Sequence, residues 1–525
     1  MLKFTTLRHL LFYLTVPLAL VLSRQYYAQP NNYISSMNDK LSLLQLRKQF
    51  VDYLRNYAFK LQQAIKELNN SAQHIQRVLK RNTTLYVNFD TLRSALHPAG
   101  LVQIDAIKTM RPQLPNRQDF EEAQTAIFRI EYVYDLNSTS LADGWIEDEH
   151  YNITLSPTDC YEMGSFYLET RMFSLANKWA QTAMHLNNSA WDDPIGVTSA
   201  NISVLMAWSL IKLGKRKLAK DVLEKEPEFT GKVHQMLTHL KSNLPNNKVH
   251  KDAMNLEDAY FKHCRSSFQN PTTRLTCFYH GNATAFLRIA PFKVEQISGY
   301  PNPLAYIYHD VLYESEMLRL EQISEYSLDR TEVDDVSEKT ISPFRTASGR
   351  WLSRYDSDYV DPFLFLRLQQ RVVDMTGLRL DSEINESMQL LRYGFGGHYD
   401  LHSDANNEEN AENMKGFEKT YFDDRIATVL FYVNDVEKGG VTAFPYLNIA
   451  VKPRRGKALI WNSLDPFSFD YDHRTFHAAC PVLVGHKLAL TQWIHERDQM
   501  FTLPCYYAPK ERKYNYSLSY LDSDP

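Results

Sequence analysis

Cysteine is scarce in this chain, with five residues in 525. No two of them form a C-x₂-C pair, which argues against a zinc knuckle and against thioredoxin-like redox chemistry. Excess charge is also lacking. A formal net charge of −4 gives no basis for binding nucleic acid or an anionic membrane surface. No long apolar run stands out either. The N-terminal candidate, Leu10 to Ser23, covers fourteen residues, contains Pro17 and follows Lys3 and Arg8. That is short for a spanning helix, which needs ~20 residues. It reads as a cleaved export signal over residues 1–23, with Val21-Leu22-Ser23 at the cleavage site, so no stable membrane span is expected. The tail, Leu521-Asp522-Ser523-Asp524-Pro525, carries no Lys-Asp-Glu-Leu type retention signal. At 525 residues the chain is too long for one core, and two or three domains are expected.

Nine N-x-S/T sequons, at Asn69, Asn82, Asn137, Asn152, Asn187, Asn201, Asn282, Asn385 and Asn515, agree with export and make the chain a candidate glycoprotein. The cysteines, Cys160, Cys264, Cys277, Cys480 and Cys505, fit an oxidising compartment. Residues 34–79 carry apolar positions at threes and fours, from Ile34 and Met37 through Phe50, Leu54 and Leu61 to Leu79. This predicts a long amphipathic helix, suited to a partner helix or to an antiparallel hairpin within one chain. Gly164, Tyr167, Ala176 and Ala183, echoed by Ala207, Leu210, Gly214, Ala219 and Leu223, suit paired helices of a tetratricopeptide-like module; a plain helical bundle fits as well. The segment from Asp404 to Tyr421 is polar and reads as a surface loop.

The chemistry is concentrated further along. In His402-Ser403-Asp404, alternate strand positions can present an imidazole and a carboxylate to one point. His477 can complete a two-His-one-carboxylate face, the donor set that holds Fe(II) and leaves positions open for O₂ and a co-substrate. Lys487 is a cation available for the far end of an anionic co-substrate. His473, four residues before His477, is a rival ligand; His398, His486 and His495 read as surface or hydrogen-bonded histidines. Tyr393 and Tyr399 suit either a channel wall or plain packing, and Arg425 either a substrate-side charge or an ordinary ion pair. Around these residues stand Tyr393-Gly394-Phe395-Gly396-Gly397-His398-Tyr399, the β-prone run from Arg425 to Val433, Gly439-Gly440-Val441-Thr442-Ala443-Phe444-Pro445, and His477-Ala478-Ala479-Cys480-Pro481.

In this order, those motifs resemble the catalytic region of the collagen prolyl 4-hydroxylase α subunit over residues 290–505, and more weakly the whole mature chain. The resemblance implies a multidomain α+β protein with five parts. Residues 1–23 are the signal peptide, and residues 24–140 a helical, coiled-coil dimerisation region. Residues 141–245 are a tetratricopeptide-like peptide-substrate-binding domain and 246–290 a linker. Residues 291–525 are a double-stranded β-helix (jelly-roll) dioxygenase.

It also implies iron ligands His402, Asp404 and His477, with Lys487 on the distal carboxylate of 2-oxoglutarate. The reaction would be procollagen-proline 4-hydroxylation with O₂, releasing succinate and CO₂ and sustained by L-ascorbate. Disulfides Cys264–Cys277 and Cys480–Cys505 follow from the same resemblance, with Cys160 left over. The expected partners are protein disulfide isomerase as the β subunit of an α₂β₂ tetramer and a proline-rich or collagen-like polypeptide. The expected location is the endoplasmic reticulum lumen, with retention supplied by that partner. Leu168 and Ile211 stand where collagen-type chains show groove tyrosines, which leaves substrate preference open. The alternatives are the same chemistry on another residue, such as lysine, or a catalytically silent peptide-binding subunit.

Overall fold

The computed structural model describes residues 117–186, 197–226, 231–241, 260–265, 275–281, 285–299, 302–326, 344–353, 362–380, 386–405, 424–465 and 471–499, with short stretches between 328 and 340 and isolated positions from 52 to 63. The signal segment, most of the 34–79 helix, the 406–421 part of the polar loop, and Cys505 lie outside the described residues. The chain divides into two compact units, residues 1–33 with 38–121, and residues 34–37 with 122–525. From Glu122 onward, the second unit carries both a helical layer and the β-sheets.

Helices come first: α1 (Arg117–Tyr134), α2 (Pro157–Glu169), α3 (Phe173–Leu186), α4 (Ser199–Lys212), α5 (Arg216–Glu224), α6 (Gly231–Lys241) and the short α7 (Phe261–Cys264). Ser156 caps α2 by accepting from the Asp159 amide, Asp159 caps back, and Pro157 opens the helix, so three N-terminal residues fix its start. The small residues of the sequence pattern lie where helices meet. Cys160, Met163, Tyr167, Ala176, Trp179 and Ala183 are buried together, and a Cβ on Gly164 would meet Leu205 at 2.9 Å. Ala207, Leu210, Ala219 and Leu223 form a second cluster, which also holds Ile211 at 3% exposure. Ile211 is therefore a core residue, and Leu168 is half-buried.

Strands dominate the C-terminal half: β1 (Cys277–His280), β2 (Phe292–Ser298), β3 (Ala305–His309), β4 (Asp329–Arg330), β5 (Ser348–Leu352), β6 (Met388–Tyr393), β7 (Tyr399–His402), β8 (Arg425–Tyr432), β9 (Thr442–Phe444), β10 (Ile449–Val451), β11 (Ala458–Asn462), β12 (His477–Ala479) and β13 (Lys487–His495). Among the described residues they form a nine-stranded sheet in the order β1-β2-β3-β11-β8-β13-β6-β5-β4 and a four-stranded sheet in the order β7-β12-β9-β10. Strand parity sorts the side chains between two layers. Leu390 of β6, Val429 and Phe431 of β8, and Leu488 and Leu490 of β13 pack with α8 (Glu314–Tyr326) and α9 (Pro362–Thr376), which supply Leu320, Leu368 and Val372. Their neighbours Leu430, Tyr432 and Ala489 turn the other way, toward Phe444 and Val451 of the smaller sheet. Lys487 shares the parity of Ala489, and this carries it between the sheets.

Three expectations change. The large sheet begins at Cys277, inside the segment expected to be a linker. Tyr132 and Val133 of α1 also share a core with Val441, Ala443 and Ala450 of the smaller sheet, so the helices are not a module set apart. Among the described residues the disulfide is Cys264–Cys480, spanning 216 residues, in place of the expected Cys264–Cys277 and Cys480–Cys505. The reason is packing. Cys264 ends α7 inside the core that Cys480 enters from β12, whereas Cys277 opens an edge strand with an exposed thiol. Cys160 is free and buried, and burial pushes its thiol up to about 12. Non-reducing peptide mapping is expected to recover a cross-linked Cys264/Cys480 peptide. Serine at either position should cost roughly 2–5 kcal/mol in denaturant unfolding. A Cys480–Cys505 peptide in its place would contradict the pairing.

Candidate metal centre and anion pocket

His402 of β7 and His477 of β12 are direct cross-strand partners, and their ring centroids lie 4.3 Å apart. Asp404 follows two residues beyond His402. Its Oδ1 lies 3.9 Å from His402 Nε2 and its Oδ2 lies 3.8 Å from His477 Nε2. One ligand atom from each residue falls within 4.8 Å of the others. Both imidazoles are held by the far nitrogen. Nδ1 of His402 faces the Asp400 carbonyl at 2.7 Å, and Nδ1 of His477 faces the Thr475 carbonyl at 3.1 Å. A carbonyl can only accept, so the proton sits on Nδ1 and the Nε2 lone pair is free to ligate. Thr428 donates to Asp404 Oδ2 at 2.6 Å and fixes the carboxylate.

Electrostatics favour the ligating forms. Burial, then the neighbouring His477, lowers His402 to about 3, against the pull of Asp404. Burial likewise lowers His477, with Lys487 adding to it and Asp404 opposing. Burial alone would raise Asp404, but the two imidazoles, Arg425 and the Thr428 hydroxyl outweigh it and keep the carboxyl below its usual range. Two neutral nitrogens and one ionised oxygen therefore converge on a point. This donor set fits a divalent first-row metal and matches the facial triad of non-haem iron.

Lys487 stands on the wall of the same cavity. It is 2% exposed, and burial pushes its ammonium down to about 7. Nζ donates to Thr442 Oγ1 at 3.1 Å, and Tyr432 donates to the same oxygen at 2.9 Å. The rings of Tyr393 and Tyr432 lie 5.7 and 5.6 Å from Nζ. Among the described residues no carboxylate pairs with it. A buried cation in that position is costly until an anion arrives.

All four residues expected from the sequence are brought to one cavity. His473 is not; it is exposed and lies against Tyr446. His398 is buried against Thr346, and His495 faces Glu386. Tyr399 stacks on His402 at 3.6 Å, and Tyr393 lines the cavity beside Lys487. Arg425 does make an ion pair, with Glu386, but at the cavity edge, where its guanidinium covers Trp493 at 4.2 Å. Sequence reasoning missed Thr428 and Thr442, whose places in β-prone strings carry no sign of a polar task. It also missed Arg345, a buried lining residue that donates to Gln389 at 2.7 Å and lies over Tyr399.

The family model of the 2OG-Fe(II) oxygenase superfamily matches residues 388–495, and that of the prolyl 4-hydroxylase alpha-subunit N-terminal region matches residues 77–148. Prolyl 4-hydroxylase subunit alpha-2 of Caenorhabditis elegans is 31% identical over 416 residues, covering 75% of this chain and 74% of the relative. Subunit alpha-1 of the same organism is 27% identical, covering 88% and 84%. Subunit alpha-1 of Gallus gallus is also 27% identical over 531 residues, covering 96% of this chain and 98% of its own length. With two imidazoles, one carboxylate and a buried lysine lining one cavity, and similarity running through both halves, this chain belongs to the prolyl 4-hydroxylase alpha-subunit family.

Proposed function

We propose that the chain is a proline-hydroxylating dioxygenase that converts peptidyl proline to 4-hydroxyproline, using Fe(II), O₂ and 2-oxoglutarate. His402, Asp404 and His477 hold the metal, and Lys487 takes the distal carboxylate of 2-oxoglutarate. When bound, the metal supplies the oxidative decarboxylation of 2-oxoglutarate to succinate and CO₂ that delivers one oxygen atom to proline C4. The protein's own part is placement. The Asp400 and Thr475 carbonyls hold both imidazoles in the ligating tautomer. Thr442 and Tyr432 orient the ammonium. Phe444 and Trp461 pack beside His477 and keep water from that side. One observation carries this reading: a buried cation with no described anionic partner shares a cavity with two imidazoles and one carboxylate.

The substrate is a proline-rich or collagen-type chain, a reading supported by the family. The helical hairpins α2–α3 and α4–α5 serve as a tetratricopeptide-like holder for it. With Ile211 in the core and Leu168 apolar, that holder lacks two phenolic donors, each worth about 0.5–1.5 kcal/mol to a bound peptide, so its preference differs from that of collagen-type relatives. The enzyme works in the endoplasmic reticulum lumen as a glycoprotein with protein disulfide isomerase as β subunit of an α₂β₂ tetramer, and ascorbate sustains its turnover. The leader, the sequons and the cysteines support this setting. A direct test gives the protein, coexpressed with disulfide isomerase, a (Pro-Pro-Gly)-type peptide. Succinate release with a matching hydroxyproline mass shift is the expected result; succinate without peptide oxidation would reject proline as the target.

A further inference from the structure

The strands that carry the two histidines are short. β7 and β12 pair at Tyr399–Ala479 and His402–His477, with an irregular register between. Such a pair is weakly specified by its own ladder, yet a metal site needs its ligands held to about 0.5 Å. Backbone bonds from Gly396 to Val482 and from Val482 to Gly397 tie the two flanking loops to each other, and a further constraint comes from α1, outside the jelly roll. Arg129 donates to the Gly396 carbonyl at 2.6 Å and to Thr346 Oγ1 at 3.4 Å. Gly396 lies three residues before β7. Its φ is +66° and a Cβ there would meet Ala126 at 2.7 Å, so the loop presses on the helix as only glycine allows. Five residues further along α1, Tyr134 donates to the Pro481 carbonyl at 2.6 Å, two residues past β12. The same helix thus grips the loop entering one histidine strand and the loop leaving the other.

The helix itself is anchored. Glu131 is 3% exposed and accepts from Ser138 at 2.7 Å, from Trp179 at 2.9 Å and from Tyr167. Arg265, beside the Cys264–Cys480 bridge, donates to the Val133 and Tyr132 carbonyls at the end of α1. The grip is therefore transmitted from a rigid body, not from another loop.

We infer that Arg129 and Tyr134 are positioning residues for the metal face: by fixing the outer ends of β7 and β12, α1 sets the separation of the His402 and His477 imidazoles. The helical layer then contributes to metal affinity, beyond any part in holding substrate. This rests on the assignment of His402, Asp404 and His477 as metal ligands.

The test uses the full chain and Co(II) alone, titrated calorimetrically without 2-oxoglutarate or peptide, with circular dichroism to check the fold. Arg129→Met is expected to weaken Co(II) binding about tenfold, the lower end of what loss of an outer support costs. Tyr134→Phe should weaken it by a smaller factor, and Arg129→Lys should restore most of the affinity. Tyr151→Phe cuts the exposed 2.7 Å side-chain bond to Glu437, a contact from the helical side that involves neither the Gly396 carbonyl nor the Pro481 carbonyl, and should leave affinity unchanged. Wild-type affinity in folded Arg129→Met and Tyr134→Phe would overturn the inference, as would equal weakening in Tyr151→Phe. If Arg129→Met fails to fold, Tyr134→Phe and Arg129→Lys decide. A wild-type chain that binds no Co(II) would remove the ligand assignment itself, a result distinct from unaltered variants.

Discussion

Asp404→Asn is expected to abolish peptide hydroxylation while leaving the chain folded. The amide has the same shape, and its oxygen can still accept from Thr428, so packing is retained. What disappears is the one anionic ligand between two neutral imidazoles. Loss of an outer hydrogen-bond partner costs a metal site about 10–100-fold, so loss of the charged ligand itself should cost on the order of 10³-fold or more. Because the folded surroundings hold the Asp404 carboxyl below its usual range, its charge stabilises the fold, and the neutral amide should have a somewhat lower thermal midpoint than wild type near neutral pH. His473→Ala serves as the control: an exposed ring outside the site should leave turnover unchanged. Measured succinate and hydroxyproline rates decide both points. Wild-type turnover in Asp404→Asn would remove it from the ligand set, and a loss in His473→Ala would reopen the rival assignment.

Much of this site was legible because strand periodicity is short and strict. The residues after Lys487 alternate as a strand requires, whereas the strand expected to carry both His402 and Asp404 ends at His402, and the bend after it brings the Asp404 carboxylate to the same point. Other features depend on which elements meet, and no local pattern announces that. The family resemblance implies a bridge from Cys264 to Cys277; the fold instead brings α7 to the end of β12, and Cys480 becomes its partner. The stretch around Cys277 looks like a linker because an edge strand need bury only one face, and its burial alternates with exposure. Thr428 and Thr442 read as ordinary β-prone residues, since a threonine that holds a carboxylate and one that merely fills a strand are the same letter. Arg129 is hidden for the opposite reason. On a helix before the catalytic half it looks like a solvated charge, and only the approach of Gly396 gives it a task.

Lys487→Met should make the enzyme more stable and nearly unable to bind 2-oxoglutarate. Burial lowers the ammonium from 10.5 to about 7. Between those pH values the unfolded chain holds a proton that the folded chain has released, so stability rises with pH across that window, and below it the full penalty of the buried charge is present. At about 1.36 kcal/mol per pKa unit the penalty is at most roughly 4–5 kcal/mol, and an apolar side chain of similar length removes it. Thermal midpoints at pH 6 should therefore be higher for Lys487→Met than for wild type, and the gap should narrow toward pH 10. Binding goes the other way. A carboxylate entering that cavity needs the ammonium, and breaking one side of a buried ion pair costs about 3–5 kcal/mol, or roughly 10²–10³-fold in affinity. In wild type, 2-oxoglutarate must bring a proton with it once the free lysine is neutral, so its affinity should fall toward tenfold per pH unit above about 7. Lys487→Met, having no proton to take up there, should show weak affinity without that slope. A wild-type slope persisting in Lys487→Met would assign the titration to another group. A residue that weakens the empty fold is thus the one expected to give the co-substrate its charge complement, which is why a buried lysine with no counter-ion among the described residues belongs in this cavity.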